Sequence, residues 1–353
     1  MSPLAQADRM LRRAFIVTAL LATMLLIAVL SARAEWSPVR EVPFMRRPYA
    51  EMVDGAWTGR GVAYGMHRDG QRPGGKSPSR REIAEDLALI ARHWSSLRVY
   101  GTLESTPLVL DEIAKSYPHV GVILGVWLDP EADSTAGALR RHPEAVRANR
   151  DQIEGAVRLA RRYPKQVRGI AAGNETQVSW SGHRIAPAQL IAAIRELRAR
   201  TNAPVTTADD YNFWNKPESE AVARECDFLM VHAHPLWNGQ TTEQAIPWTE
   251  ARLAEIRALH EGAPLVLGET GWATQRADVG DEAKYMKAEC NEAAQAAFMD
   301  ALEAWIATKP LPVFVFEAFD ENWKGGTRPD EVEKHWGLYR ADRTPKQAIA
   351  RAR

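Results

Sequence analysis

Cysteine is scarce in this chain, because only Cys226 and Cys290 occur among its 353 residues. Two cysteines cannot build the disulfide framework that holds many small secreted domains together. An oxidising compartment would permit one bridge between them, but the sequence alone leaves that pairing open. A chain of this length is, however, long enough to bury a large hydrophobic core.

An excess of charge of either sign is also missing. Lysine plus arginine and aspartate plus glutamate number 45 each. We find no conspicuous run of like charges, no internal repeat and no low-complexity tract. Proteins that bind nucleic acid usually carry a basic patch or tail. We therefore expect no nucleic-acid partner.

Only one long hydrophobic run is present, at residues 14–30, and several arginines between residues 9 and 13 precede it. An Ala-Arg-Ala pattern at residues 32–34 is typical of a signal-peptide cleavage site. The run is also about as long as the shortest membrane spans. Residues 1–34 are therefore predicted to be a signal peptide or an N-terminal anchor, with membrane contact only through residues 14–30 if they are uncleaved. Both alternatives place the rest of the chain outside the cytoplasm, as a periplasmic, secreted or membrane-anchored protein.

Residues 35–57 are rich in proline and are predicted to be an extended lead-in. Beyond them, short apolar runs typical of strands alternate with segments of helical periodicity. The eight predicted strands are residues 59–64, 96–100, 120–126, 167–172, 204–208, 227–232, 264–268 and 312–318. The eight predicted helices lie near residues 79–95, 105–116, 143–163, 186–200, 218–225, 242–260, 281–308 and 344–352. Strict alternation predicts a parallel α/β sheet, and eight such units predict a single-domain (β/α)8 TIM barrel over residues 58–353.

Two glutamates, Glu175 and Glu269, follow the fourth and seventh predicted strands. Active sites in such barrels lie at the carboxyl ends of the strands, so both side chains should face the same mouth. Two opposed carboxylates can cleave a glycosidic bond, because one protonates the leaving oxygen while the other attacks the anomeric carbon. We therefore predict that Glu175 and Glu269 are catalytic and that their carboxyl groups lie about 5 Å apart, as in retaining enzymes.

Most other strand ends carry polar or aromatic side chains that suit a sugar. Arg98 is expected to keep Glu269 charged, and Asn174 is expected to bond the sugar 2-hydroxyl. Tryptophan rings just past a strand end can stack on a sugar face. The predicted substrate-binding residues are Tyr64, Arg98, Tyr100, Asn174, Tyr211, His232, His234, Trp237, Trp272, Glu317, Glu321, Trp323 and Lys324.

Each of these features also has a simpler explanation. The turn at residues 173–175 could merely cap a helix, Arg98 could be a structural ion-pair partner, and tryptophans are core residues by default. His232 and His234 with Asp209 suggest a metal, but a His-x-His pair without further ligands is a weak pattern. We therefore predict neither a metal nor a cofactor. The position of both glutamates after strands of the appropriate number favours the catalytic interpretation.

Four motifs carry a resemblance to a known family, at residues 173–175, 268–272, 319–324 and 333–339. On these motifs the chain, from about residue 61 to residue 346, resembles glycoside hydrolase family 17, the β-1,3-glucanase family, in its bacterial branch.

The resemblance implies a retaining barrel enzyme without a cofactor, with Glu175 as acid/base and Glu269 as nucleophile. It also implies that Tyr64, Glu321 and Lys324 line the cleft. The chain departs from the family pattern in two places. Thr270 and Ala273 replace the usual Ser and Pro of the nucleophile motif, and His234-Pro235 replaces the Tyr-Pro of many plant and fungal members. These departures leave open which group orients Glu269.

Three functions follow from the sequence. The leading one is a retaining hydrolase of β-glucans, whose partner is a β-glucan polysaccharide or oligosaccharide. The alternative is a β-glucan glucanosyltransferase that uses the same covalent intermediate, with the acceptor held near Trp237, Trp323 and residues 234–248. A non-catalytic glycan-binding protein is less favoured, because both glutamates are present.

Overall fold

The computed structural model describes residues 45–49, 52–53, 56–57, 59–135, 138–309 and 311–351. The predicted signal peptide or anchor at residues 1–34 lies outside this part, as does much of the predicted lead-in. Within these ranges, no helix combines the length and the apolar character that crossing a bilayer requires. Both cysteines are described, and each carries a free thiol.

Eight parallel strands form a closed barrel. In chain order they are β1 (Arg60–Ala63), β2 (Ser96–Val99), β3 (Gly121–Val126), β4 (Val167–Asn174), β5 (Val205–Asp210), β6 (Leu229–His232), β7 (Leu265–Thr270) and β8 (Val313–Val315). Each strand pairs with the next one along the chain, and β8 pairs with β1, which closes the ring. All eight predicted strands correspond to these, so the predicted TIM-barrel fold is confirmed.

Helices connect the strands and cover the outside of the barrel. They are α1 (Arg80–Ile90), α2 (Thr106–Ser116), α3 (Pro143–Arg162), α4 (Pro187–Arg200), α5 (Tyr211–Trp214), α6 (Glu220–Ala223), α7 (Thr242–Leu259), α8 (Gly280–Tyr285), α9 (Glu292–Ile306) and α10 (Gln347–Arg351). The described residues also include single-turn 3₁₀ helices at Pro217–Ser219, Leu236–Asn238 and Val332–Lys334.

Local sequence explains where several helices begin. Ser79 and Glu82 form a capping box at the start of α1: the Glu82 amide donates to Ser79 Oγ and the Ser79 amide donates to Glu82 Oε2. Pro187 occupies the first turn of α4, where its missing N–H costs nothing. The buried face of α1 is formed by Ile83, Leu87 and Ile90, which recur at helical spacing.

Two local predictions were incomplete. The single helix predicted over residues 281–308 is wrong, because α8 and α9 are separate helices. Asn291 starts α9 as its N-cap and accepts a 2.8 Å hydrogen bond from the Ala294 amide. A two-stranded hairpin, Ala132–Thr135 with Ala138–Arg141, was not predicted. Its strands lack the alternation of apolar residues by which strands are recognised.

Residues 45–49 cover the amino-terminal end of the barrel. Tyr49 packs against Phe228 inside it, with ring centroids 5.0 Å apart. The Arg47 guanidinium donates to the carbonyl oxygens of Arg198 and Thr201 at 2.6 and 2.8 Å. Because side chains fill the barrel and this end is covered, the open carboxyl end is left as the place for a ligand.

Asp227 ties this closure to the barrel. It is fully buried, forms an ion pair with Arg198, and accepts hydrogen bonds from the Arg47 amide at 2.6 Å and the Val205 amide at 2.7 Å. One carboxylate therefore joins the lead-in, α4 and β5.

We expect Asp227→Ala to lower the free energy of unfolding by about 3–5 kcal/mol, because it leaves a buried guanidinium without its carboxylate and two amides without an acceptor. Urea unfolding followed by tryptophan fluorescence measures this. The control is Asp278→Ala, whose side chain is 93% exposed and whose loss should change stability by less than about 0.5 kcal/mol. Equal effects of the two substitutions would contradict the role given to Asp227.

Candidate active site

The strand register brings charged side chains together at the carboxyl end of the barrel. His232 of β6 lies beside Glu269 of β7 and beside Asp210 of β5. From the other side of the mouth, the Arg98 side chain of β2 reaches both Glu269 and Asn174, the last residue of β4. Alternate and neighbouring strands thus converge on one point, as they do in barrel enzymes.

The backbone at the end of β4 is unusual. Gly173 and Glu175 both have left-handed backbone angles, with φ of 77° and 49°. Glycine adopts this conformation freely, but a glutamate there costs about 1 kcal/mol or more. The Glu175 amide donates to the Ala208 carbonyl oxygen at 2.8 Å, so pairing with β5 holds the turn in place. The strained conformation indicates that Glu175 serves a function at this position and does not stabilise the turn.

Glu269 is enclosed by donors. Its Oε1 accepts from Arg98 Nη1 at 2.6 Å and from the Tyr100 hydroxyl at 2.8 Å. Its Oε2 lies 3.3 Å from His234 Nε2, a longer contact. The side chain is only 7% exposed. Oε1 is therefore firmly held, and Oε2 is the oxygen better placed to react.

These contacts keep Glu269 ionised. Burial alone would raise the pKa of its carboxyl group, but the charge of Arg98 and the hydrogen bond from His234 lower it well below the ordinary value. His234 responds in the opposite sense. Burial alone would lower the pKa of its imidazole, but the hydrogen bond to Glu269 and the nearby carboxylates Glu175 and Asp210 raise it.

Glu175 lies in different surroundings. Its side chain is 27% exposed, and its Oε1 lies 2.8 Å from Nδ1 of the fully buried His232. Besides Glu269, two acidic groups at the end of β5 respond to its charge, namely Asp209 and Asp210. Burial first, and then the charge of Glu175, raise the pKa of Asp209 well above its ordinary value and that of Asp210 to about 7.

The two glutamates face each other closely. One carboxylate oxygen of Glu175 and one of Glu269 lie within 4.8 Å of each other. This is the short separation typical of retaining glycosidases, whereas inverting enzymes need about 6.5–9.5 Å to admit a water molecule.

A second ionic group lies at the end of β8. Lys324 Nζ donates to both Glu317 oxygens at 2.7 and 2.6 Å and lies 2.8 Å from Glu321 Oε2. The Trp323 indole donates to Glu321 Oε1 at 2.8 Å, and its ring is 39% exposed. Burial and the neighbouring Glu321 raise the pKa of Glu317 despite Lys324, because one ammonium group serves two carboxylates.

Most of the predicted site residues therefore fall into two groups. Arg98, Tyr100, Asn174, Glu175, His232, His234 and Glu269 form the first, and Glu317, Glu321, Trp323 and Lys324 form the second. Phe316 joins them, since its ring lies 4.7 Å below Lys324 Nζ and packs against His234 with centroids 5.6 Å apart. Trp237 is partly buried against the core at the end of β6.

Three predicted residues are not placed with these groups. The Tyr64 hydroxyl donates to the buried Asp86 at 3.0 Å, and Tyr64 is 1% exposed. Trp272, also 1% exposed, donates to the Glu289 carbonyl oxygen and cannot stack on a sugar. The Tyr211 hydroxyl donates to Asn238 at 2.7 Å and joins α5 to the turn after β6. These residues were predicted from their position next to a strand end, and that position does not indicate whether a side chain points into the protein.

Other residues at the mouth were not among the predicted catalytic or substrate-binding residues. Asp209 and Asp210 share the strand-end position that identified the rest. Glu333 also faces this region: burial raises the pKa of its carboxyl group, and Lys324 and His234 act against that shift. His183 Nε2 lies 2.7 Å from the Asn174 carbonyl oxygen. It comes from the loop after β4, which carries no pattern that would single it out.

Among the residues that the structure describes, one group could offer a metal three ligands, namely Glu175, His232 and Glu269. Arg98 Nη1 lies 2.7 Å from His232 Nε2 and 2.6 Å from Glu269 Oε1. A guanidinium therefore occupies the position between two of these ligands and would repel a cation. The geometry does not suit a metal site.

A parallel barrel with two carboxylates this close at its carboxyl end defines a glycoside hydrolase. Residues 61–337 match the model of the BtgE/BtgC glycoside hydrolase domain, and the chain belongs to that family.

Fungal proteins are similar to the chain in sequence. A glucan 1,3-beta-glucosidase of Schizosaccharomyces pombe is 28% identical over 274 residues, which cover 74% of this chain and 78% of that protein. A protein of the same name from Arthroderma benhamiae is 28% identical over 78% of this chain and 86% of its own length. Glucan endo-1,3-beta-glucosidase btgC of Emericella nidulans is 26% identical over 77% of this chain but only 42% of its own length.

Solved structures share the fold. An endo-laminarinase from Formosa superimposes with a TM-score of 0.72 at 24% identity, covering 83% of this chain and 86% of that one. A glycoside hydrolase family 17 β-1,3-glucanosyltransferase from Rhizomucor miehei gives a TM-score of 0.63 at 21% identity, covering 82% and 96%.

We expect Lys324→Met to lower the free energy of unfolding by about 3–5 kcal/mol at pH 7, because Glu317 and Glu321 would be left buried without a cation. Burial already raises the pKa of Glu317, so the folded variant holds a proton that the unfolded chain releases. The variant therefore keeps this part of its stability below the ordinary pKa of glutamate. It loses that stability as the pH rises from there towards the raised pKa of Glu317.

Denaturant unfolding from pH 4 to pH 8 should therefore show a variant whose deficit grows with pH. Lys309→Met is the control, since Lys309 pairs with Glu250 on the surface. A deficit that does not change with pH would contradict this account.

Proposed function

We propose that the protein is a retaining β-1,3-glucan hydrolase, with Glu175 as acid/base and Glu269 as nucleophile. The supporting observation is that the two carboxylates lie within 4.8 Å of each other in unlike surroundings. Glu269 is enclosed by donors that keep it ionised, whereas Glu175 is more exposed and lies beside other acids. Such a division of environments supports these two roles, because a glycosidase needs one protonated and one ionised carboxyl group.

In the first step, Glu175 gives its proton to the glycosidic oxygen as the bond from that oxygen to the anomeric carbon breaks. Glu269 Oε2 forms a bond to the same carbon and becomes a glycosyl ester. Oε1 of Glu175 is engaged by His232, so the transferred proton is carried by Oε2. Arg98 and Tyr100 hold Glu269 Oε1 and thereby aim its other oxygen.

In the second step, Glu175 takes a proton from water, whose oxygen attacks the anomeric carbon and releases Glu269. Asn174 assists both steps. Its Oδ1 accepts from Arg98 Nη2 at 2.5 Å, so the amino end of the amide is the one that donates to the sugar 2-hydroxyl. A hydrogen bond there strengthens as the transition state forms.

The proposed linkage comes from the relatives. Those cited are named for action on 1,3-β-glucan, one structural neighbour is an endo-laminarinase, and another was solved with laminaritriose. The exposed ring of Trp323 suits stacking on a glucose unit, and its indole bond to Glu321 holds the ring in one orientation.

A second candidate activity is transfer of the glucosyl chain to another sugar. It has the same first step, but a sugar hydroxyl in place of water resolves the ester on Glu269. The Rhizomucor miehei neighbour is a glucanosyltransferase. A fixed aromatic platform such as Trp323 favours an acceptor over water, because positioning raises its effective concentration.

We also propose that the barrel works outside the cytoplasm and that the chain belongs to a bacterial branch of its relatives. The first rests on the apolar run at residues 14–30 and the cleavage pattern at residues 32–34. The second rests on Thr270 and Ala273, which depart from the usual nucleophile motif of the family, and on His234, which replaces the tyrosine of many plant and fungal members.

Exchanging each catalytic carboxyl for an amide should separate the two roles. Glu269→Gln should abolish turnover of every β-glucan substrate, because no nucleophile remains. Glu175→Gln should slow β-1,3-oligosaccharides by about 10²–10⁴-fold but should spare release of an activated phenolate, which needs little protonation. Pre-steady-state measurement of phenolate release reads the first step alone. If both variants lost that release equally, the assignment of roles would be wrong.

Transfer should appear as products longer than the substrate. With a β-1,3-linked pentamer at high concentration, we expect some longer chains, and Trp323→Ala should shift the products towards hydrolysis while the first step persists. Chromatography that resolves chain length measures the ratio. Trp305→Ala, on the outer helix α9, is the matched control. Only shorter chains at every concentration would rule out the transferase function.

A further inference from the structure

His232 lies between the two proposed catalytic residues. It is fully buried. Its Nδ1 is 2.8 Å from Glu175 Oε1, and its Nε2 is 2.7 Å from Arg98 Nη1. The same Nη1 is 2.6 Å from Glu269 Oε1. An unbroken path of hydrogen bonds therefore runs from one carboxylate to the other through an imidazole and a guanidinium.

The chemistry of arginine determines the direction of each bond. A guanidinium only donates, so Arg98 Nη1 must donate to His232 Nε2, which carries no hydrogen. His232 is then a neutral imidazole whose proton is on Nδ1, and Nδ1 donates to Glu175 Oε1. An imidazolium would place two donors 2.7 Å apart. Burial, opposed by the charge of Glu269, also lowers the pKa of His232 and favours the neutral ring.

We propose that His232 is a positioning residue, held in a single tautomer by Arg98, through which one buried cation stabilises the negative charge on whichever catalytic carboxylate bears it. This inference rests on the roles proposed above for Glu175 and Glu269.

The reaction moves charge along this path. Before the first step Glu269 is negative and Glu175 carries a proton. After it, Glu269 is an uncharged ester, the proton is on the departed sugar, and Glu175 is negative. The pair holds one negative charge throughout, while Arg98 stays between the two positions. Once Glu269 is an uncharged ester, the Nδ1–H of His232, polarised by Arg98, donates to the Glu175 carboxylate and stabilises its negative charge.

Other charged groups face Glu175 and His232 and contribute a background field. They are Asp209 and Asp210 from β5, His234 after β6, Glu269 from β7, Arg98 from β2 and Glu333 from the turn after β8. Among these, only Arg98, which also bonds Glu269, donates to His232 Nε2. The test must therefore distinguish the effects of the two hydrogen bonds of His232 from the effects of these other charges.

Two variants each preserve half of the imidazole. His232→Asn keeps an amide near the Nδ1 position, which can still donate to Glu175 but cannot reach Arg98. His232→Gln keeps an amide near the Nε2 position, which can accept from Arg98 but offers Glu175 no donor. His260→Gln is the matched control, because His260 is buried and bonds Ser219 and the Trp214 carbonyl oxygen away from the mouth.

We expect kcat/KM on a β-1,3-linked pentamer to fall by about ten- to one-hundred-fold in both His232 variants and to stay at the wild-type value in the control, since each lost bond involves a charged group. The alkaline limb of the pH profile should move to higher pH in His232→Gln, because a donor that favours the carboxylate is gone. It should move less in His232→Asn, which keeps the donor to Glu175 but loses the link to Arg98.

Wild-type kcat/KM in either variant would overturn the proposal, because one end of the path would then be dispensable. A loss in His232→Gln without movement of the alkaline limb would also overturn it, since packing alone would explain the loss. A measurement on the wild-type protein tests the proposal even if the variants misfold. Nitrogen-15 spectra of labelled histidine should show His232 protonated on Nδ1 alone, and a proton on Nε2 would exclude the mechanism.

The two levels of inference fail separately. Activity that survives in both Glu175→Gln and Glu269→Gln would remove the proposed function itself. Inactive glutamate variants combined with wild-type behaviour of the His232 variants would remove only the role of His232.

Discussion

The arrangement of the mouth depends on a buried guanidinium. Arg98 is 1% exposed and cannot lose its proton, so its charge must be balanced inside the protein. Glu269 supplies the balancing charge, while Asn174, His232 and the Gly268 carbonyl oxygen accept further hydrogen bonds from the two terminal nitrogens of Arg98. The fork of the guanidinium is rigid, so these groups are held at defined angles to one another. One electrostatic requirement thereby orients residues from β2, β4, β6 and β7.

The second ionic group limits how far the mouth can change. Lys324, Glu317 and Glu321 form a compact unit behind Phe316, and Phe316 packs against His234 and Trp336. Any movement of β8 would therefore disturb the aromatic contacts that support His234. The mouth is built from two charged networks with an aromatic wedge between them, which suits a site that must hold its geometry through two chemical steps.

The sequence predicted the barrel and the group around Glu269 because both follow from order along the chain. Alternating strands and helices determine which residues end at the mouth, and Glu175, Arg98 and His232 could be identified by counting strands. The direction of a side chain depends on its partners in space. Tyr64 turns inward because Asp86, Arg68 and Arg343 surround its hydroxyl, and Arg343 is 257 residues away from Asp86. The Trp272 side chain is likewise buried in the hydrophobic core. Partners so distant in sequence leave no local pattern, and the same is true of His183 and of the break between α8 and α9.

The left-handed backbone of Glu175 has a consequence for the history of the chain. A glutamate at φ 49° lowers stability relative to glycine, which adopts that conformation without strain. A glutamate in this unfavourable conformation therefore argues that the barrel has been selected for catalysis at some expense to its own stability.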